Sequence, residues 1–137
     1  MLRRPSRRRA ATLVECAMVC PVLFLFVFGL IIGGLGVFRY QEVASLAREG
    51  ARYASVRGAK YEGVTGQPAA TPAAIYDNAV KPRIVSLDPS QVTYQVSWNT
   101  DNRQGSMVIV RVDYQWVPEA FLGGITLSST STMPMSY

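Results

Sequence analysis

Residues 16–38, CAMVCPVLFLFVFGLIIGGLGVF, form a stretch of 23 residues without a charged side chain. As an α-helix this stretch would be about 35 Å long, because each residue adds about 1.5 Å. A hydrocarbon core of about 30 Å can be crossed by such a helix with some tilt. The sequence therefore predicts a transmembrane span over residues 16–38.

Basic residues are concentrated just before this stretch. The chain has 137 residues and a formal charge of +5, from 14 basic and 9 acidic side chains. Five basic residues lie in the first ten positions: Arg3, Arg4, Arg7, Arg8 and Arg9. Without them the balance is 9 − 9, or zero. Arginines before an apolar helix are typical of the cytoplasmic side, whereas a nucleic-acid binder needs a basic face on its folded part. Residues 1–10 are therefore predicted to be a basic cytoplasmic leader, with no nucleic-acid partner.

The amino-acid composition argues against an enzymatic function. The chain has no histidine, which removes a histidine-based triad, an imidazole general base and most zinc sites. No phosphate-binding loop or nucleophile motif is present, so we expect no catalytic residue, cofactor or metal. The two cysteines, Cys16 and Cys20, are four apart on one helix face. They are interpreted as two small, buried apolar residues or as S-acylation sites near the membrane edge.

Glu15 is the one acid at the start of the apolar region. A charge at the centre of a membrane helix costs about 2.5–3.5 kcal/mol, and less near the interface. Glu15 could stay among the lipid headgroups, or it could have a function with a charged partner. Glu15 also argues against a cleaved secretory signal, as do the long apolar stretch and the lack of an A-x-A site.

Two glycines within the span, Gly29 and Gly33, are four residues apart. Small residues at this spacing allow close approach of two helices. Glycine is also common in membrane spans, so composition alone is the other interpretation.

After the span the helical pattern continues and becomes amphipathic over residues 39–57, RYQEVASLAREGARYASVR. Its apolar stripe consists of Val43, Leu46, Ala47, Gly50, Ala51 and Ala54, at spacings of three and four. The opposite face carries Arg48, Glu49 and Arg52, and Glu49 and Arg52 are placed to pair at i, i+3. We predict one helix over residues 11–57, ending near Gly58.

A loop is predicted over residues 58–71. Thr71 followed by Pro72 indicates a helix start, with an N-cap and proline at the first helical position. Ile75, Ala79 and Val80 then repeat at helical spacing, and Pro82 is expected to end or bend this helix.

After this helix, apolar residues recur at every second position of the sequence. Strands are predicted at residues 91–98, 106–116 and 125–133, with a polar turn at 99–105. Trp98 and Trp116 are expected in the sheet core rather than in a ligand-binding patch. Because the apolar sheet face needs a cover, we expect the amphipathic half of the long helix to pack on it. The predicted fold class is α+β, with a three-stranded antiparallel sheet.

The order of these features resembles type IV pilins, and most closely the TadE-like family of minor pseudopilins of tight-adherence pilus systems. The family typically reads R-R-G-x-x-x-V-E-F-A-x-x-x-P-x-L-x-x-L-x-F-G, where this chain has RRRAATLVECAMVCPVLFLFVFGL. A second signature resembles A-R-E-G-A-R-Y-A, which stands here as Ala47, Arg48, Glu49, Gly50, Ala51, Arg52, Tyr53 and Ala54. A third resembles the alternating valines, the glycine-rich turn and the final methionine of VIVRVDYQWVPEAFLGGITLSSTSTM.

The resemblance implies cleavage by a prepilin peptidase between Ala10 and Ala11, which makes Glu15 the fifth residue of the mature chain. Ala10 stands where the family has glycine, and Cys16 replaces the usual aromatic residue. Glu15 would lie in the first helical turn, where the helix dipole favours an anion, and would pair with the Ala11 amine of a neighbouring subunit.

The implied partners are the membrane, other pilins or pseudopilins, the prepilin peptidase and the pilus assembly platform. The implied location is the bacterial inner membrane, with a cytoplasmic N-terminus and an extracytoplasmic domain over residues 58–137. A permanently anchored single-pass module, binding a partner through its sheet, is the alternative.

Overall fold

A computed structural model describes residues 7–118 and 123–136, with side chains from residue 11 onward. Arg3 and Arg4 of the predicted leader lie outside the described residues. The chain divides into two compact units, Met1–Leu35 and Gly36–Tyr137.

The first helix, α1, spans Arg7–Ser55 and continues through Pro21. It begins four residues before the predicted start at Ala11 and ends two residues before the predicted end at Arg57. Its end is fixed locally and by the C-terminal segment. The Ser55 hydroxyl donates to the Arg52 carbonyl at 2.9 Å, and Ser136 N–H donates to the Ser55 carbonyl at 2.8 Å. These bonds take up carbonyls that the end of a helix leaves without a partner.

The predicted loop over residues 58–71 is wrong for its first half, because Ala59–Thr65 form a second helix, α2. None of its residues is buried, so it has no apolar stripe that could have indicated a helix. Its first N–H, from Ala59, donates to the Asn102 carbonyl at 2.8 Å. Its end is set by Gly66, which adopts a left-handed φ of 70° and donates its N–H to the Glu62 carbonyl.

The helix start at Thr71 and Pro72 is confirmed. The Thr71 hydroxyl accepts a hydrogen bond from Ala74 N–H at 3.2 Å, which is the bond expected of an N-cap. The helix α3, Pro72–Ile75, continues as a π-helical turn over Tyr76–Val80 and a 3₁₀ turn over Lys81–Arg83. A further 3₁₀ turn, Pro89–Gln91, leads into the sheet.

The described residues form the predicted three-stranded antiparallel sheet. Its strands are β1 (Val92–Trp98), β2 (Met107–Trp116) and β3 (Ile125–Pro134). Their order in the sheet is β1, β2, β3. Val110 lies opposite Val96 on one side and Ser131 on the other. The alternation on β2 is complete, since every second side chain from Val108 to Trp116 is buried.

The core lies between this sheet, the second part of α1 and the segment that follows Thr71. It is made by Val43, Leu46, Ala47, Ala51, Ala54, Ile75, Ala79, Val80, Val108, Val110 and Val112, each exposed by 1% or less. The predicted α+β arrangement, with the long helix packed on the sheet, is therefore confirmed.

Candidate functional site

The predicted processing and assembly residues all lie on α1. The Ala10–Ala11 bond is within the helix, and Ala11, Glu15, Cys16 and Cys20 are exposed. None of these residues lines the grooves described below. What they share is a single exposed helix surface. The expectation that Cys16 and Cys20 are buried is wrong within this chain, because both lie on the exposed surface of the helix.

This surface is strongly apolar. Met18 and Leu25 are each 73% exposed and Leu30 is 77% exposed. Within Ala11–Ser55 an 18-residue window has a mean hydropathy of 2.7, and none of that window is buried by the rest of the protein. The helix is thus long and apolar enough to cross a membrane.

The predicted packing glycines, Gly29 and Gly33, are not crowded by any other part of the described chain. A β-carbon added at either position would meet no heavy atom within 4 Å. No contact among residues 7–118 and 123–136 requires glycine at these positions, and the space around both is open.

A different glycine, Gly36, makes the close contact. A β-carbon on Gly36 would lie 2.7 Å from Cζ3 of Trp116, which is closer than real side chains approach. Trp116 is only 5% exposed, and the Arg39 guanidinium lies 5.3 Å from its ring centroid. This arrangement was not predicted, because no sequence signal links Gly36 to a residue 80 positions away.

The second family signature, residues 47–54, has two faces. Ala47, Gly50, Ala51 and Ala54 are buried against the sheet and the segment after Thr71. A β-carbon on Gly50 would lie 3.1 Å from Cγ1 of Val110, so the small residues let the backbones approach closely. This face is structural.

The other face is polar, and its predicted ion pair is wrong. Glu49 contacts Arg83 at 3.5 Å rather than Arg52. Arg83 also donates to the Ala79 carbonyl at 3.1 Å, which fixes its guanidinium beside the helix. Long-range packing therefore took Glu49 away from its neighbour on the same helix.

Glu42 is a structural anchor that the sequence pattern did not indicate. Its carboxylate accepts hydrogen bonds from Val85 N–H at 2.8 Å and Ser86 N–H at 3.0 Å, and also from the Ser86 hydroxyl. Partial burial of Glu42 raises the pKa of its carboxyl, but the hydrogen bonds from Ser86 and from the backbone of residues 85–87 outweigh that effect. The pKa therefore lies below its ordinary value of 4.5.

The described residues contain no group of three or more His, Cys, Asp or Glu side chains that could hold a metal ion. The described residues offer three surfaces for contact with other molecules: an exposed apolar helix, a polar arginine-bearing face and a small sheet.

These features define a class of protein: an α+β chain whose N-terminal helix exposes a long apolar surface. Within that class, the family model described as TadE-like protein matches residues 10–52. The match confirms the resemblance over that segment, from the predicted cleavage position to Arg52. Searches of curated proteins and of solved structures found no match.

Proposed function

We propose that the chain is a pseudopilin-like structural component of a tight-adherence pilus or of a related secretion filament. The observation that carries the proposal is the TadE-like match over residues 10–52, which joins a position next to the cleavage site to an exposed apolar helix. The TadE-like family is a pilus-associated family with a structural role.

The apolar surface supports a location in the bacterial inner membrane. The arginines of residues 1–10 would hold the N-terminus in the cytoplasm, because basic residues favour that side. The transmembrane span is residues 16–38, and the domain over residues 58–137 is extracytoplasmic.

Processing is the first step of the proposed mechanism. A prepilin peptidase hydrolyses the amide between Ala10 and Ala11 with one water molecule, which releases the leader with its five arginines and leaves a free amine on Ala11. Loss of the basic anchor lets the helix move out of the membrane and pack among the helices of other subunits.

Glu15 supplies the electrostatic part of assembly. It is exposed and lies in the first turn of the mature helix, where the dipole favours an anion. We propose that it pairs with the Ala11 amine of a neighbouring subunit, and that this pairing offsets the cost of its charge in an apolar environment.

Gly29 and Gly33 allow close packing between the helices of neighbouring subunits. Their surroundings are open in the described chain, which leaves room for a neighbouring helix to approach closely. The proposed partners are other pilins or pseudopilins, with the prepilin peptidase and the assembly platform acting before them.

The deciding experiment is the intact mass and N-terminal sequence of the protein recovered from its native cells. A start at Ala11 would support the pseudopilin. A start at Met1 or Leu2 would favour the second candidate, a permanently anchored single-pass module that binds a partner through its sheet. A start near Arg39 would indicate an ordinary signal peptide and exclude both.

A further inference from the structure

A groove of about 360 Å³ lies beside the polar face of the second signature. It is lined by three arginines and one carboxylate among other residues: Glu49, Arg52, Tyr53, Val56, Arg57, Ala79 and Arg83. An adjoining groove of about 270 Å³ shares Tyr53 and Arg57. The two grooves therefore meet at this tyrosine–arginine pair.

Arg57 is held in a fixed orientation at that point. Its guanidinium carbon lies 4.0 Å from the ring centroid of Tyr53 and 5.7 Å from that of Tyr61. The Tyr61 hydroxyl in turn donates to Gln67 at 2.8 Å. A stacked guanidinium keeps the N–H groups on its edge free to bind a planar anion, and less rotational freedom is lost when it does so.

The positive charge of the groove is only partly compensated. Glu49 pairs with Arg83 at 3.5 Å, and no acidic side chain of the described chain forms an ion pair with Arg52 or Arg57. The chain from Gly36 onward carries 14 − 5 = 9 basic and 9 − 1 = 8 acidic residues. The unit is thus almost neutral, whereas the side chains that line the groove carry an excess of two positive charges.

We propose that this groove binds the carboxylate of an acidic side chain on a neighbouring protein subunit. Arginine donates two parallel hydrogen bonds to a carboxylate, and such charge-assisted bonds are stronger than neutral ones. Arg57 provides the oriented fork and Arg52 a second, exposed cation. That the neighbour is a subunit of the same filament rests on the proposed function, whereas the carboxylate chemistry rests on the groove alone.

The test uses the full chain in micelles of a zwitterionic detergent and a capped hexaglutamate peptide as the probe. Hexaglutamate should shift the side-chain N–H resonances of Arg57 in NMR spectra, and the affinity should fall with added salt. Arg57→Gln and Arg52→Gln should each weaken binding about fivefold to tenfold, because each removes a charge-assisted contact. Arg57→Lys should fall in between, since it keeps the charge and loses the fork.

Arg48→Gln is the matched control. It removes the same charge from the same signature on α1, but Arg48 is exposed and does not line the groove. Affinity for hexaglutamate should change less than about twofold in this variant, as for a surface charge screened by water.

Three results would overturn the proposal. The first is no hexaglutamate-dependent shift at Arg57 in the unmodified protein. The second is an equal loss of affinity in Arg48→Gln and Arg52→Gln. The third is a shift produced by inorganic phosphate and not by hexaglutamate, which would assign the groove to phosphate. If Arg57→Gln alters the near-UV circular dichroism, this variant has changed the fold. The affinity of Arg52→Gln, which changes an exposed residue, then decides the test. Processing at Ala11 is measured separately, so a failed groove and a failed pseudopilin assignment remain distinguishable.

Discussion

Gly50 of α1 lies directly against Val110 of β2, with only 3.1 Å between the position of an added β-carbon and Cγ1 of the valine. Val110 is fully buried and β-branched, so it has little freedom to move aside. The small residue of the second signature is therefore what allows helix and sheet to meet.

We predict that Gly50→Leu lowers the free energy of unfolding by about 1–3 kcal/mol or more, the usual cost of overpacking a core. Denaturant unfolding of the full chain in detergent, followed by tryptophan fluorescence, measures this loss. Arg48→Leu adds the same side chain at an exposed position of the helix. Its free energy of unfolding should be close to that of the unmodified protein. Equal stability of the two variants would contradict the close contact.

Gly36→Ala should displace the ring of Trp116. The new β-carbon would lie 2.7 Å from the ring, so the indole must move from a site where it is only 5% exposed. We expect a red-shifted tryptophan emission, because the ring gains contact with polar surroundings. Gly34→Ala is the control, since its β-carbon meets nothing within 4 Å; a shift of the same size there would count against the contact.

Glu42→Gln should destabilise the protein by about 1 kcal/mol or less, because the bonds are charge-assisted but partly exposed to water. The carboxyl has a pKa below 4.5 in the folded state, so its contribution is present above the unfolded pKa. It is lost as the pH falls through the folded pKa. The stability difference between unmodified protein and variant should therefore be seen at pH 7 and shrink below pH 4.5. Asp77→Asn removes a carboxylate at an exposed position and is the matched control; at pH 7 it should change the free energy of unfolding less than Glu42→Gln does.

Ala10→Leu should block processing, because the resemblance requires a small residue before the cleaved bond. Ala10→Gly should be processed at least as well as the natural sequence. Intact masses of the proteins recovered from native cells would show the leader retained in the first variant and absent in the second. Ala17→Leu, an exposed position on the same helix, should be processed normally. Cleavage of Ala10→Leu at Ala11 would remove the basis for the assignment of this site.

Replacing both Gly29 and Gly33 by leucine should remove the protein from filament fractions without unfolding it. An added β-carbon meets nothing within 4 Å at either position of the described chain. The two leucines should therefore weaken only the contacts with other helices. Gly34→Leu adds bulk at another open glycine, off the line of the pair, and should co-fractionate normally. Co-fractionation of the double variant would mean that these glycines reflect composition alone.

Much of the fold could be predicted from local patterns. The 3.6-residue stripe over Val43 to Ala54 and the twofold alternation over Val108 to Trp116 each place their apolar residues on the face that is buried. The N-cap at Thr71 was equally clear, because its bond reaches only three residues along the chain. The same local signals failed for α2, which has no buried residue and whose first N–H bonds Asn102.

By itself, the sequence determined the apolar helix, the sheet with its buried face and the resemblance of residues 10–52 to the TadE-like family. Tertiary structure decided the long-range partners: Glu49 with Arg83, Glu42 with residues 85–87, and Gly36 with Trp116. The physical reason is the distance along the chain. Periodicity and capping depend on residues a few positions apart, whereas each of these side-chain contacts joins residues more than thirty positions apart. Such contacts exist only once helix and sheet have packed, and that packing also placed Arg57 next to Arg52 and Arg83 in one groove.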